Sequence, residues 1–163
     1  MARTAIYAGS FDPITRGHLD IIQRAGKQYD RVIVAVANNP AKKSMFTPDE
    51  RVQMIREAFL ESGTFNHEIE LLPPGTMLAQ WAKDKGANAL VRGLRAVSDF
   101  EAEFRMALTN RRLVPEIETV FFMTAQEHLF VASSTAKEVA FIGGDLSPFV
   151  TPNVAEALRG KFQ

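Results

Sequence analysis

The chain has 163 residues, of which 46% are hydrophobic; its formal net charge is zero and it contains no cysteine. That length suits one domain, 1–163, with enough apolar material for a core, and the neutral balance excludes a bulk attraction to nucleic acid or to a membrane surface. Without cysteine there is no disulfide, no thiolate metal site and no thiol nucleophile, which fits a reducing compartment. The apolar run Ala5–Ala8 is too short for the core of a secretory leader. No stretch approaches the roughly 18 apolar residues of a membrane span, so the expected location is cytoplasmic.

Along the chain, short strand-like runs alternate with longer runs of helical period. Thr4–Ala8 predicts a strand closed by Gly9, and Gly17–Gln28 a helix with Leu19, Ile22 and Ala25 or Gly26 on one face. Arg31–Ala37 is β-branched and nearly all apolar, as a strand covered on both faces should be. Thr47-Pro48-Asp49-Glu50 opens a helix with a capping residue, a first-turn proline and the partner of a capping box. Its apolar stripe is Val52, Ile55, Phe59 and Leu60. Glu68–Leu72 is a strand stopped by Pro73-Pro74-Gly75, Met77–Lys85 a helix ended by Gly86, and Ala89–Val91 a further strand. Ser98-Asp99-Phe100-Glu101 reads as a second capping box leading a helix to about Leu113, with Pro115 beyond it. Thr119–Met123 is the fifth strand. Ser133 or Ser134 opens and caps a helix to Phe141, and Thr151-Pro152 starts the last one, to about Arg159.

Five strands alternating with helices predict an α/β fold: a Rossmann-like, doubly wound, five-stranded parallel sheet with helices on both faces. Such sheets bind ligands beyond the carboxyl ends of their strands, where the strand order switches. The two longest irregular stretches, Asn38–Phe46 and Thr124–Ala132, both follow strands and so lie on that side.

The first strand-to-helix turn, Gly9-Ser10-Phe11-Asp12-Pro13-Ile14-Thr15-Arg16-Gly17-His18, contains neither the dinucleotide fingerprint nor the Walker loop. It does place a hydroxyl and two glycines at the start of a helix, where N–H groups and the helix dipole favour an anion. Gly9 and Gly17 would let a large group approach the main chain. Two readings of His18 stand here: an imidazole that donates to a phosphate oxygen, or one that caps or fills the first helical turn. Arg92 and Arg95 follow the fourth strand, where two guanidiniums suit phosphate oxygens; the alternative is a solvated basic loop. Asp99 and Glu101 read as ordinary first-turn acids. Lys42 and Lys43 stand in the loop after the second strand, where lysines are mostly solvated. His67 reads as a surface residue and Trp81 as core or interface. The three histidines lack the spacing of a metal site.

Thr15-Arg16-Gly17-His18 resembles the T/H-x-G-H signature of the nucleotidyltransferase superfamily. The fuller string, together with Arg92-Gly93-Leu94-Arg95-Ala96-Val97-Ser98-Asp99-Phe100-Glu101-Ala102-Glu103, is similar to phosphopantetheine adenylyltransferases. Lys42-Lys43, Phe46-Thr47 and Glu50-Arg51 match the same family. The resemblance implies transfer of the adenylyl group of ATP to 4′-phosphopantetheine, giving dephospho-coenzyme A and pyrophosphate, by in-line attack without a covalent intermediate. It implies His18 as transition-state stabiliser with Lys42 and Arg92 beside it, and a substrate site of Ser10, Lys42, Leu78 and Arg92. It implies an ATP site of Ser10, Phe11, His18, Gly93, Leu94, Arg95 and Glu103, completed by His128, Leu129, Phe130, Val131, Ala132, Ser133 and Ser134. His128 stands where the family often has Trp or Tyr, Ala132 where it often has Ser, and Ser10 where Thr is commoner. Mg²⁺ bound mainly through ATP phosphates, a homohexamer and feedback inhibition by coenzyme A are further implications. Sister nucleotidyltransferases acting on nicotinate mononucleotide or glycerol phosphate, and a flavodoxin-like binding module, are the alternatives.

Overall fold

The structure, a computed structural model, describes residues 2–64 and 67–163. The elements run β1 (Thr4–Gly9), α1 (Arg16–Gly26), β2 (Arg31–Ala37), α2 (Pro48–Ser62), β3 (Glu68–Leu72), α3 (Leu78–Asp84), β4 (Ala89–Leu94), α4 (Val97–Leu113), β5 (Glu118–Met123), α5 (Ser133–Phe141) and α6 (Pro152–Phe162), with a 3-10 turn at Gln126–His128. The strands form one parallel sheet in the order β3-β2-β1-β4-β5. The chain winds outward from β1 to β3, then returns to place β4 on the other side of β1. The order therefore switches between β1 and β4, and a crevice opens beyond their carboxyl ends.

Side-chain alternation along the strands divides the core in two. Ala5, Tyr7, Val32, Val34 and Val36 face a layer built from α1, α2, α5 and α6. Ile6, Ala8, Ile33, Ala35 and Leu90 face Ala79, Trp81 and Ala82 of α3, with Val114 and Ile117 beside them. Helices thus cover both faces, as the uninterrupted apolar sequence of β2 requires. No helix among the described residues is long and apolar enough to cross a membrane.

The Thr47 capping box forms in both directions: Glu50 N–H donates to Thr47 Oγ1 at 3.2 Å and Thr47 N–H to Glu50 Oε2 at 2.7 Å. Other expectations need correction. β4 runs on through Arg92 and Gly93 to Leu94, because β5 pairs with it along that whole length. α4 starts at Val97 with Ala96 at its cap and no side-chain capping bond. Ser98 therefore lies inside the first turn, too late to cap it, and Glu101 pairs with Arg105 instead, at 2.9 Å. In α2 the buried stripe is Arg51, Met54, Ile55, Ala58 and Phe59, while Leu60 is exposed. His67 is half-buried, its ring edge-on to Phe59 with centroids 6.0 Å apart. It fills the space beside Gly26, where a Cβ would lie 2.6 Å from it. α6 continues past Arg159 to Phe162.

Candidate active site

A cavity of about 620 Å³, within the usual range for small-molecule sites, opens at the β1/β4 switch. Its walls come from the ends of β1 and β4, the loop and first turn of α1, Lys42, the first turns of α4 and α5, and Thr124 after β5. His18 and Arg92 line the same space. Of the residues expected to meet there, Ser10, Phe11, His18, Lys42, Arg92, Gly93, Arg95, Glu103, Val131, Ala132, Ser133 and Ser134 do so.

His18 occupies the third position of α1 and makes a capping box with Thr15. The Thr15 N–H donates to His18 Nδ1 at 3.0 Å, and the His18 N–H to Thr15 Oγ1 at 3.3 Å. An Nδ1 that accepts a backbone proton cannot carry one, so the ring proton resides on Nε2. Burial, then Arg95 and Arg92, push the imidazole from 6.5 down to about 4. The ring is therefore neutral near pH 7, with Nε2–H left as a donor to the cavity. Capping and ligand-facing roles belong to opposite edges of one imidazole.

Phe11 holds that ring from the side. Its own ring is edge-on to His18 at 5.0 Å and to Tyr7 at 5.4 Å, and only 2% of the residue is exposed. Its backbone lies in the left-handed region at φ 46°, a conformation costing roughly 1–3 kcal/mol for a residue with a side chain. Packing of the ring holds it there. Gly9 serves this packing: a Cβ on it would sit 3.3 Å from the Phe11 ring. The room at Gly9 is thus taken by Phe11, whereas a Cβ on Gly17 would make ordinary contact with Val131 and His128.

Opposite His18, Arg92 projects from β4. Its Nε and Nη2 donate to Glu103 Oε2 and Oε1 at 2.9 and 2.6 Å, and its Nη1 to Ala8 O at 2.8 Å. This bidentate partner keeps the guanidinium charged in spite of burial. Arg95 donates to Val131 O at 3.2 Å and lies 3.8 Å from Asp99. Lys42, exposed on its loop, has no carboxylate partner among the described residues. Lys43 is exposed beside it and lines no wall of the cavity.

At the start of α5 neither serine caps the helix; Ala132 holds that position with no side-chain capping bond. Ser133 instead turns its hydroxyl to Pro13 O at 2.8 Å, tying α5 to the first loop. The first-turn N–H groups of α5, without intrahelical partners or a side-chain cap, stay available at the cavity wall. Leu94, His128, Leu129 and Phe130 stand outside the cavity walls, Leu94 buried and Phe130 86% exposed. Leu78 opens α3 against the other core layer, also outside. Tyr7, Ile21, Ala102 and Thr124 line the cavity without having been singled out, and so do Thr15 of the T-x-G-H string and Ser98 and Asp99, which had read only as residues of a helix start. For Tyr7 and Thr15 a signal existed: strand alternation puts Tyr7 on the α1 side, and Thr15 stands three residues before His18. The Tyr7 hydroxyl is pushed well above its usual range, mainly by burial.

The sequence model of the Cytidylyltransferase-like family matches residues 6–139. The chain is 51% identical over 161 residues to the phosphopantetheine adenylyltransferase of Carboxydothermus hydrogenoformans, a match covering 99% of this chain and 97% of that one. It is 51% identical over 158 residues to the phosphopantetheine adenylyltransferase of Heliobacterium modesticaldum, covering 97% and 92% of the two chains. Among solved structures, the nicotinic acid mononucleotide adenylyltransferase of Plasmodium falciparum complexed with NaAD superposes with a TM-score of 0.70 over 99% of this chain and 96% of that one. At 14% identity that likeness speaks for the fold alone. Identity of the extent found with the first two, along nearly the whole chain, places this protein in the phosphopantetheine adenylyltransferase family, within the cytidylyltransferase-like nucleotidyltransferases.

Proposed function

We propose that this cleft transfers the adenylyl group of ATP to the phosphate of 4′-phosphopantetheine, releasing pyrophosphate and dephospho-coenzyme A, the penultimate step of coenzyme A synthesis. The observation that carries the proposal is the meeting of a neutral His18 Nε2–H donor with Lys42, Arg92 and Arg95 around one cavity at the sheet switch. A phosphate dianion is already a nucleophile, so the reaction needs positioning and charge stabilisation more than a base. Lys42, Arg92 and the Ser10 hydroxyl hold the attacking phosphate in line with the α-phosphorus of ATP. His18 donates from Nε2 to the oxygens on which charge grows in the transition state. Because the imidazole is held neutral, it acts as a hydrogen-bond donor rather than as a proton source. Arg95 and the open N–H groups at the start of α5 hold the triphosphate, and pyrophosphate leaves without a covalent enzyme intermediate.

Glu103 is engaged by Arg92 through two hydrogen bonds. Its family role at the nucleotide, with those of Phe11, Gly93, Leu94 and His128–Ser134, belongs to the same proposal. So does Leu78 along the pantetheine arm. Mg²⁺ supplies neutralisation of phosphate charge when it is bound. The residues fit an ion carried by the triphosphate: the cavity carboxylates Asp99 and Glu103 are already paired with arginines, and no cluster of three or more His, Asp or Glu able to hold a metal occurs among the described residues.

Hexameric assembly is part of the proposal, supported by α4, where Val97, Phe100, Phe104, Met106 and Leu108 are exposed. Feedback by coenzyme A rests on the family alone; a cytoplasmic location rests on the family and on a cysteine-free composition that suits a reducing compartment. A substrate panel with pyrophosphate readout tests the activity. Release with ATP and 4′-phosphopantetheine is expected; release only with nicotinate mononucleotide, or with CTP and glycerol phosphate, would overturn it.

A further inference from the structure

Arg51 is 1% exposed, the largest fully buried side chain among the described residues, and it is absent from the cavity walls. Burying a guanidinium is costly unless its donors are satisfied, and an apolar residue of similar volume is often at least as stabilising. Arg51 is satisfied: its Nε donates to Thr47 O at its own helix cap at 3.4 Å, and its other partners lie on or next to the two loops that bring Ser10 and Lys42 to the cleft. Its Nη1 donates to Ser10 O at 2.7 Å and to Ala37 O at 2.8 Å, and its Nη2 to Asn38 Oδ1 at 3.0 Å. Among the described residues no carboxylate forms a salt bridge with it. The first loop is thus fastened to the end of β2 through one planar group.

The other end of the Lys42 loop is fastened the same way. Asp12, 6% exposed, accepts from Met45 N–H and Phe46 N–H, both at 2.9 Å, and from Lys137 Nζ at 2.7 Å. The loop between β2 and α2 is therefore tied at Ala37–Asn38 and again at Met45–Phe46, each time to the loop carrying Ser10. Between the ties, Lys42 is placed by a turn in which its N–H donates to Asn39 O at 3.0 Å. The distance from Lys42 to Ser10 follows from two buried braces, since the lysine side chain has no ion partner to hold it.

Resting on the activity proposed above, we infer that Arg51 is a positioning residue for the acceptor phosphate: it sets the spacing of Ser10 and Lys42 without touching substrate. No hydrogen bond of Arg51 reaches β4, α4 or α5, so Arg95 and the start of α5, which hold the triphosphate, stand independently of it.

The test is steady-state kinetics of Arg51→Met and Arg51→Lys, each also made in a Lys42→Ala background. Arg51→Met should raise the KM for 4′-phosphopantetheine by about tenfold or more while the KM for ATP stays within about twofold. In the Lys42→Ala background the same change should cost less than about twofold, since residues acting as one unit are not additive. Arg51→Lys keeps the charge but loses the fork, and should fall between Met and the native residue. If Arg51→Met does not fold, by circular dichroism and thermal melting, Asn38→Ala decides: it removes one tie, and its KM rise for the acceptor must likewise vanish with Lys42. Equal KM rises for both substrates, full additivity with Lys42→Ala, or unchanged kinetics in a folded Arg51→Met would overturn the inference. If the unmutated protein forms no dephospho-coenzyme A, the proposed activity fails and this role with it. If it is active and the Arg51 effect is independent of Lys42, only the role fails.

Discussion

On the β1–β2 side of the cleft each loop is tied down by a buried polar side chain, whereas the β4–β5 side is walled by ion pairs and backed by exposed apolar surface. Arg51 and Asp12 spend most of their hydrogen bonds on backbone groups of the first side, and Phe11 is packed into a strained backbone to support His18. Across the cleft, Arg92 is matched to Glu103 and Arg95 lies near Asp99. Behind them α4 buries only Asn110. The difference separates two kinds of order. Backbone ties are permanent and fix geometry before any ligand arrives. Carboxylate pairs can be exchanged for phosphate oxygens at modest cost, because one anion replaces another.

Breaking the rigid side should have the largest consequence. His18→Ala removes the donor held by Thr15 and Phe11, and turnover should fall by about 10² or more, as for loss of an oxyanion donor. Near-normal turnover in a folded variant would take His18 out of the mechanism. On the open side, Phe104 is 48% exposed and stacks on Phe100 with centroids 5.5 Å apart. Phe104→Glu should leave the protomer folded and lower the assembly mass seen by light scattering; a native protein already monomeric would contradict the assembly. The smallest effect is on pH. The His18 imidazole lies at about 4 when folded against 6.5 ordinarily, so between those values the unfolded chain binds the extra proton. Stability linked to His18 is therefore complete above pH 6.5 and declines as pH falls to about 4. Urea midpoints over that window should fall more steeply for the native protein than for His18→Asn; equal slopes would mean the ring is not held neutral.

Much of this architecture could be read in the residues. Val32–Val36 could only be a strand covered on both faces, and Thr47-Pro48-Asp49-Glu50 could hardly be anything but a helix start. The string from Gly9 to His18 located the cleft. What stayed hidden depended on tertiary partners. Arg51 completes the α2 stripe at the spacing of Met54, Ile55 and Ala58, yet a charged residue is normally placed outside, and only oxygens from Ser10 and from the end of β2 at Ala37 and Asn38 make its burial tolerable. Arg92 and Gly93 do not look like strand residues until β5 pairs with them. Ser98 and Ser133 carry good capping side chains, but each helix starts at a point set by the strand or loop before it. Ser133 then finds a better partner in Pro13 O.

The most direct measurement is to mix the protein with ATP, Mg²⁺ and 4′-phosphopantetheine and follow the products by mass spectrometry. Dephospho-coenzyme A and pyrophosphate should accumulate in equal amounts from the native protein, and about 10² or more slowly from His18→Ala. A native protein that leaves both substrates unchanged would contradict the account.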